Sequence, residues 1–143
     1  MFLTACLDFI HSLFNRRFVI NSFNPDNSGQ DIVNFVIDNG DGHYDGRSVE
    51  ELYDFIKKHK EYGTMLTLRD PKGIVAVARW NWINDNTVYI LDCVVRPDYR
   101  SRQTIRYLID LGFKNNPRAE YFKFMRGSKY PNRKQQLYKV RRR

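Results

Sequence analysis

Three arginines, Arg100, Arg102 and Arg106, cluster in "VVRPDYRSRQTIRYLIDLG", the stretch from Val94 to Gly112. It reads as a buried strand, a turn marked by Pro97, and then a helix. The first N–H groups of a helix lack intrahelical acceptors and carry partial positive charge, so such a junction can hold an anion. Arginines beside it add charge-assisted hydrogen bonds suited to phosphate. For any one of them, a solvated basic face is the plain alternative. Upstream on the same strand, Asp92 sits in the apolar run "VYILDCVV". A carboxylate there is costly to bury unless it is paired or used. Strict alternation puts Val88, Ile90, Asp92 and Val94 on one face and Tyr89, Leu91, Cys93 and Val95 on the other. Desolvation would suit Asp92 to general-base work; pairing with an arginine such as Arg79 would make it structural. Cys93 has no histidine nearby in sequence to activate it and is expected to be a small buried residue. Trp80 and Trp82 share a strand face, where they line a pocket, stack on bases or simply pack.

The elements that position these residues follow from changes in hydrophobic period. Phe2, Leu3, Cys6, Phe9, Ile10, Leu13 and Phe14 recur at helical spacing, which predicts an amphipathic helix over residues 1–17. "RFVINSF" is a candidate first strand and "NPDNSG" a turn. "QDIVNFVIDNG" puts Ile32, Val33, Val36 and Ile37 on one helical face. "DGHYDG" is an Asp/Gly turn; the glutamate that would complete a calcium loop is missing. In "RSVEELYDFIKKHKEYG", Ser48 and Glu51 form a capping box, and Leu52, Phe55 and Ile56 form the apolar face. Three runs then follow, "TMLTLRD", "GIVAVARWNWI" and "TVYILDCVV", separated by "DPKG" and "NDN". They predict an antiparallel meander. "SRQTIRYLIDLGFKNN" is a helix with Ile105, Leu108, Ile109 and Leu111 inward, and "AEYFKFM" a further strand, so the connection is a parallel crossover. "QQLYKV" is a candidate last strand. The fold class is α+β: one domain over residues 1–143, with a mixed sheet.

Charge is distributed unevenly along the 143 residues, whose net charge is +8. Met1 to Val95 hold nine Lys/Arg against thirteen Asp/Glu, while Arg96 to Arg143 hold fifteen against three. The basic last third favours a polyanionic partner: a phosphorylated cofactor, a nucleic acid or an acidic protein surface. Its end, residues 127–143, is a basic segment. Two cysteines and three scattered histidines give neither a metal-type spacing nor a disulfide framework. No metal is expected, nor a transmembrane segment or signal peptide, and a cytoplasmic location is.

A three-strand meander, then "V-x-P-x-Y-R" opening a helix, then a parallel strand, resembles the GNAT (GCN5-related N-acetyltransferase) superfamily. Val95, Pro97, Tyr99 and Arg100 fall on that part of its acetyl-CoA signature. The resemblance spans the chain from about Asp31 onward. It implies a mainly antiparallel sheet flanked by helices, here with an abbreviated C-terminal half. It also implies acetyl-CoA, or another acyl-CoA, as cofactor, and acyl transfer to an amine. By the same resemblance Val94, Val95, Arg100, Ser101, Arg102, Gln103, Thr104 and Ile105 form the CoA site, with Asp92 as base. Asn132, Leu137 and Tyr138 echo the family's "N…LY", which makes Tyr138 the candidate acid and Tyr130 a weaker one. Ser101, Gln103 and Ile105 stand where the family usually has glycine. Only ordinary helical backbone would accommodate side chains there. The alternative function is a catalytically inactive GNAT-like scaffold that binds nucleic acid or a protein partner through Arg96–Arg143; an unrelated α+β nucleic-acid protein has no RNA-binding signature behind it. The compact size and basic tail also resemble small acetyltransferase-like proteins of phages and mobile elements. An oligomer stays open, and the acceptor is not encoded in any stretch that can be read.

Overall fold

The computed structural model describes residues 19–20, 29–40, 46–126 and 136–142. The expected N-terminal helix over 1–17, most of the "NPDNSG" and "DGHYDG" turns, Tyr130 and Asn132 lie outside the described residues. In chain order the elements are β1 (Val19–Ile20), α1 (Gln30–Asn39), α2 (Val49–Tyr62), β2 (Met65–Asp70), β3 (Gly73–Trp82) and β4 (Thr87–Val95). A 3₁₀ turn (Pro97–Tyr99), α3 (Arg102–Asn115), β5 (Tyr121–Arg126) and β6 (Gln136–Arg141) follow. The strands form one six-stranded sheet in sequential order, antiparallel throughout except for the parallel pair β4–β5. The meander is built as its turns predict, and α3 carries the crossover.

Each face of the sheet has its own core. Leu108, Leu111 and Phe113 of α3 meet Leu66, Leu68, Val88 and Phe122 on one side. On the other, Ile32, Val33 and Val36 of α1 and Leu52 and Ile56 of α2 meet Met65, Val77 and Val94. Each such aliphatic side chain contributes roughly 1.5–3 kcal/mol by leaving water. α3 sits close on β5 because Gly112 lacks a side chain. A Cβ there would come 2.4 Å from the ring of Phe122. That ring is 2% exposed and stacks on Phe113 at 4.1 Å, so it has nowhere to move.

The helix ends follow local chemistry. Ser48 Oγ accepts the Glu51 N–H at 3.1 Å, and Gly63 closes α2 in the left-handed conformation (φ 66°). Three expected core positions are corrected. Ile37 is exposed, and Phe35 is buried with Ile32, Val33 and Val36 instead. Phe55 is exposed, beneath the guanidinium groups of Arg47 and Arg79. Ile105 is exposed because the inward stripe of α3 runs through Thr104, Tyr107, Leu108 and Leu111, an i, i+3, i+4, i+7 set that leaves Ile105 one step round the helix.

Candidate functional site

The site begins with a defect in pairing. β4 pairs with β5 from Thr87–Tyr121 to Ile90–Phe124. On its other side the register slips: Arg79 opposes Asp92 and Trp80 opposes Ile90, which leaves Leu91 unmatched. This is a β-bulge, and one extra residue reverses the facing of everything beyond it. Val88 packs in the α3 core and Val94 in the α1–α2 core. The expected face of Val88, Ile90, Asp92 and Val94 is therefore corrected: Val88 and Ile90 turn toward α3, Asp92 and Val94 toward α1 and α2.

Past the bulge β4 and β5 part, and a cleft of about 210 Å³ opens between them. Ile90, Leu91, Cys93, Ile105, Leu108 and Phe124 are among its lining residues, with Trp80. Two expectations change here. Cys93 is exposed in the cleft rather than buried. Trp80 is buried at the cleft, with its Nε1–H lacking a hydrogen-bond partner among the described residues. A buried indole N–H ordinarily finds an acceptor.

The cleft follows α3 as far as Ile105, and the helix start lies one turn beyond. Ser101 is extended (φ −156°, ψ 164°) and caps the helix, its Oγ accepting the Thr104 N–H at 3.2 Å, while the Ile105 N–H reaches Ser101 O at 3.2 Å. The N–H groups of Arg102 and Gln103 are left at the helix start without intrahelical acceptors. Every left-handed glycine among the described residues lies elsewhere, at Gly29, Gly46, Gly63 and Gly73. Side chains at Ser101, Gln103 and Ile105 thus sit on ordinary backbone, and Thr104 is buried beneath them.

The arginines divide their work. Arg100 donates Nε to Val95 O at 2.8 Å and Nη2 to Asn39 O at 3.0 Å, which braces the end of β4 against the end of α1. That is a structural role beside the expected phosphate role. Arg102 and Arg106 are exposed. Arg96 clasps Asp70 (2.7 Å) and Asp98 (2.7 Å), and the Tyr99 hydroxyl donates to Asp70 at 2.9 Å. Burial works to raise the Asp70 pKa, but hydrogen bonds from Arg96, Tyr99 and the Lys72 N–H together outweigh it and hold the carboxyl at about 2. This network fixes the turn between β4 and α3.

Asp92 stands beside the bulge as half of an ion pair. Arg79 Nε lies 3.1 and 3.0 Å from its two oxygens, and Nη2 makes a closer contact. The two side chains are 14% and 8% exposed, so the pair is largely desolvated. The pairing with Arg79, weighed from sequence, is present. His59 of α2, which sequence alone did not single out, is near enough for both charges to act on it. Its Nδ1 lies 2.8 Å from Thr64 Oγ1. Burial, then Arg79, lowers its pKa below the ordinary histidine value. Tyr138 of β6 is half-buried and stacks on Phe124 with ring centroids 5.4 Å apart, which puts it one ring behind the cleft wall.

Comparison with known proteins matches this geometry. The Acetyltransferase (GNAT) family profile matches residues 29–115. No curated protein matches the chain in sequence. An acetyltransferase of the GNAT family from Bacillus cereus is similar in structure, at 12% identity and TM-score 0.58, over 87% of this chain and 96% of that one. Spermidine N-acetyltransferase from Vibrio cholerae, solved with CoA and spermine, is similar at 11% identity and TM-score 0.56, over 77% of this chain and 71% of that one. A Pyrococcus horikoshii structure aligns at 16% identity and TM-score 0.55 over 78% of this chain, which spans 39% of that longer one. The profile match spans more than half of the sequence, and the chain belongs to the GNAT acetyltransferase family.

Proposed function

We propose that this chain is an acyl-CoA-dependent N-acyltransferase that moves an acetyl group to an amine. The observation that carries the proposal is a cleft beside the Leu91 bulge that follows α3 as far as Ile105, one turn from the helix start. Its residues fit the group. The Arg102 and Gln103 amides, with Ser101 and the exposed Arg102 guanidinium, suit a pyrophosphate. The edge of β4 near Val94–Val95, beyond the last pair with β5, and the Trp80 Nε1–H suit the carbonyls of an acyl-pantetheine arm. When bound, acetyl-CoA supplies a thioester whose acyl carbon is open to an amine.

The chain's own groups do the rest. Arg79 clasps Asp92 and takes up part of its hydrogen-bonding capacity. Asp92, which lines the cleft, is the proposed group that accepts from the amine and orients it. The imidazole of His59, whose pKa is lowered by burial and by Arg79, is the second proton acceptor on that side. Tyr138 lies in the layer of Phe124 and is the proposed proton donor to the departing sulfur. The test is thiol release from acetyl-CoA with a panel of primary amines. Tyr138→Phe keeps the ring stack and loses the hydroxyl; as the acid, it lowers kcat by about 10²-fold. Turnover equal to wild type removes Tyr138 from the chemistry, and no thiol release with any amine defeats the proposal.

A further inference from the structure

One part of the sheet carries charge that no carboxylate answers among the described residues. α1 and α2 cover β2, β3 and the end of β4, and α3 covers the opposite face. On the α1–α2 side, the outward residues of the last two strands are Tyr121, Lys123 and Met125 of β5 and Leu137, Lys139 and Arg141 of β6. Lys139, Arg141, Met125 and Leu137 are exposed, and Tyr121 and Lys123 are half-buried. The register sets Lys123 directly opposite Lys139, and Tyr121 opposite Arg141. Lys139 Nζ lies 4.0 Å over the Tyr121 ring. Like charges directly opposite each other destabilise a sheet. Among the described residues no carboxylate forms an ion pair with any of these three cations.

This row leads toward the proposed reaction centre. Lys123 pairs with Tyr89 across the parallel ladder. Tyr89 precedes the bulge on the strand that presents Asp92 to the same side of the sheet. The surface is an open face, not an enclosed pocket, and the exposed Met125 and Leu137, opposite each other, add an apolar contact beside the cations. An open basic row with an apolar end fits an extended chain better than a small amine. A polyamine would meet repulsion there.

We infer that the acceptor is an acidic polypeptide, a peptide amine flanked by Asp or Glu side chains that lie along Lys123, Lys139 and Arg141. The inference rests on the acyl-transfer proposal, and its test separates the two. Two peptides of equal length are compared with spermidine as acceptors: one with its lysine among glutamates, one with its lysine among arginines. Acetyl-CoA affinity is titrated in parallel. The wild type is expected to prefer the acidic peptide by at least about tenfold in kcat/KM at low salt. Lys123→Glu with Lys139→Glu should abolish that preference while acetyl-CoA affinity stays within about twofold. Lys123→Gln with Lys139→Gln should fall between, and serves if the reversal does not fold. Preference for the basic peptide or spermidine, acidic preference that survives the reversal, or competition by single-stranded nucleic acid in place of the acidic peptide would overturn the inference. Failure of the wild type to bind acetyl-CoA would instead strike the proposal beneath it.

Discussion

Arg79→Met isolates the ion pair beside the bulge. The substitution keeps most of the aliphatic stem and leaves the Asp92 side chain, 8% exposed, without its guanidinium. Removing one member of a buried pair costs about 3–5 kcal/mol, because the remaining charge stays desolvated. Arg79 is itself 14% exposed, so water reaches part of the gap and the cost falls at the low end, about 3 kcal/mol. Loss of the guanidinium over Phe55 adds about 0.5 kcal/mol. Urea unfolding followed by circular dichroism reads this as a lower midpoint at unchanged slope. Arg79→Met with Asp92→Leu removes both charges and should recover most of the loss. The single variant should also raise the His59 pKa, because Arg79 is one of the two causes that depress it. The acid limb of the rate profile would then move to higher pH. A single variant that loses less than about 1 kcal/mol, or a double variant no better than the single, would refute the view of Asp92 as a clasped, desolvated carboxylate.

Other consequences are as direct. Gly112→Ala drives a Cβ into the Phe122 ring; overpacking costs about 1–3 kcal/mol and the gain in helix propensity returns about 1, so thermal unfolding should move down by several degrees. A Tm at or above wild type would mean that α3 can lift off β5. Asp70 has a lowered pKa in the folded chain, about 2 against an ordinary 3.8, so its contribution is whole above about pH 4 and lost as pH falls through 2. Solvent screening reduces that contribution to on the order of 1 kcal/mol. Asp70→Asn should flatten stability over this acid window, and an unchanged slope would show that the Arg96–Asp70–Tyr99 network is not what the window titrates.

Much of the fold was legible because its elements obey simple periods. The meander shows alternation broken by "DPKG" and "NDN", and the α3 helix shows a 3.6-residue stripe. The stretch Pro97–Arg100 pointed to the right junction, and ordinary backbone at Ser101, Gln103 and Ile105 is what side chains there required. The bulge was not legible. β4 is apolar on both faces, so a change of parity at Leu91 leaves no trace in the pattern. His59 was missed because it is a lone histidine on an amphipathic helix, and its surroundings come from β2, β3 and β4. The bracing role of Arg100 was not legible, because the carbonyls it reaches, Val95 and Asn39, carry no signal of their own.

The central claim is that the cleft between β4 and β5 receives acyl-CoA. Calorimetric titration of acetyl-CoA into the wild type and into Cys93→Trp, whose exposed position lies in that cleft, tests it most directly. The wild type should bind with micromolar affinity, and the filled cleft should weaken binding at least about tenfold while the fold is kept. No heat up to millimolar acetyl-CoA, or equal affinity for both proteins, would contradict it.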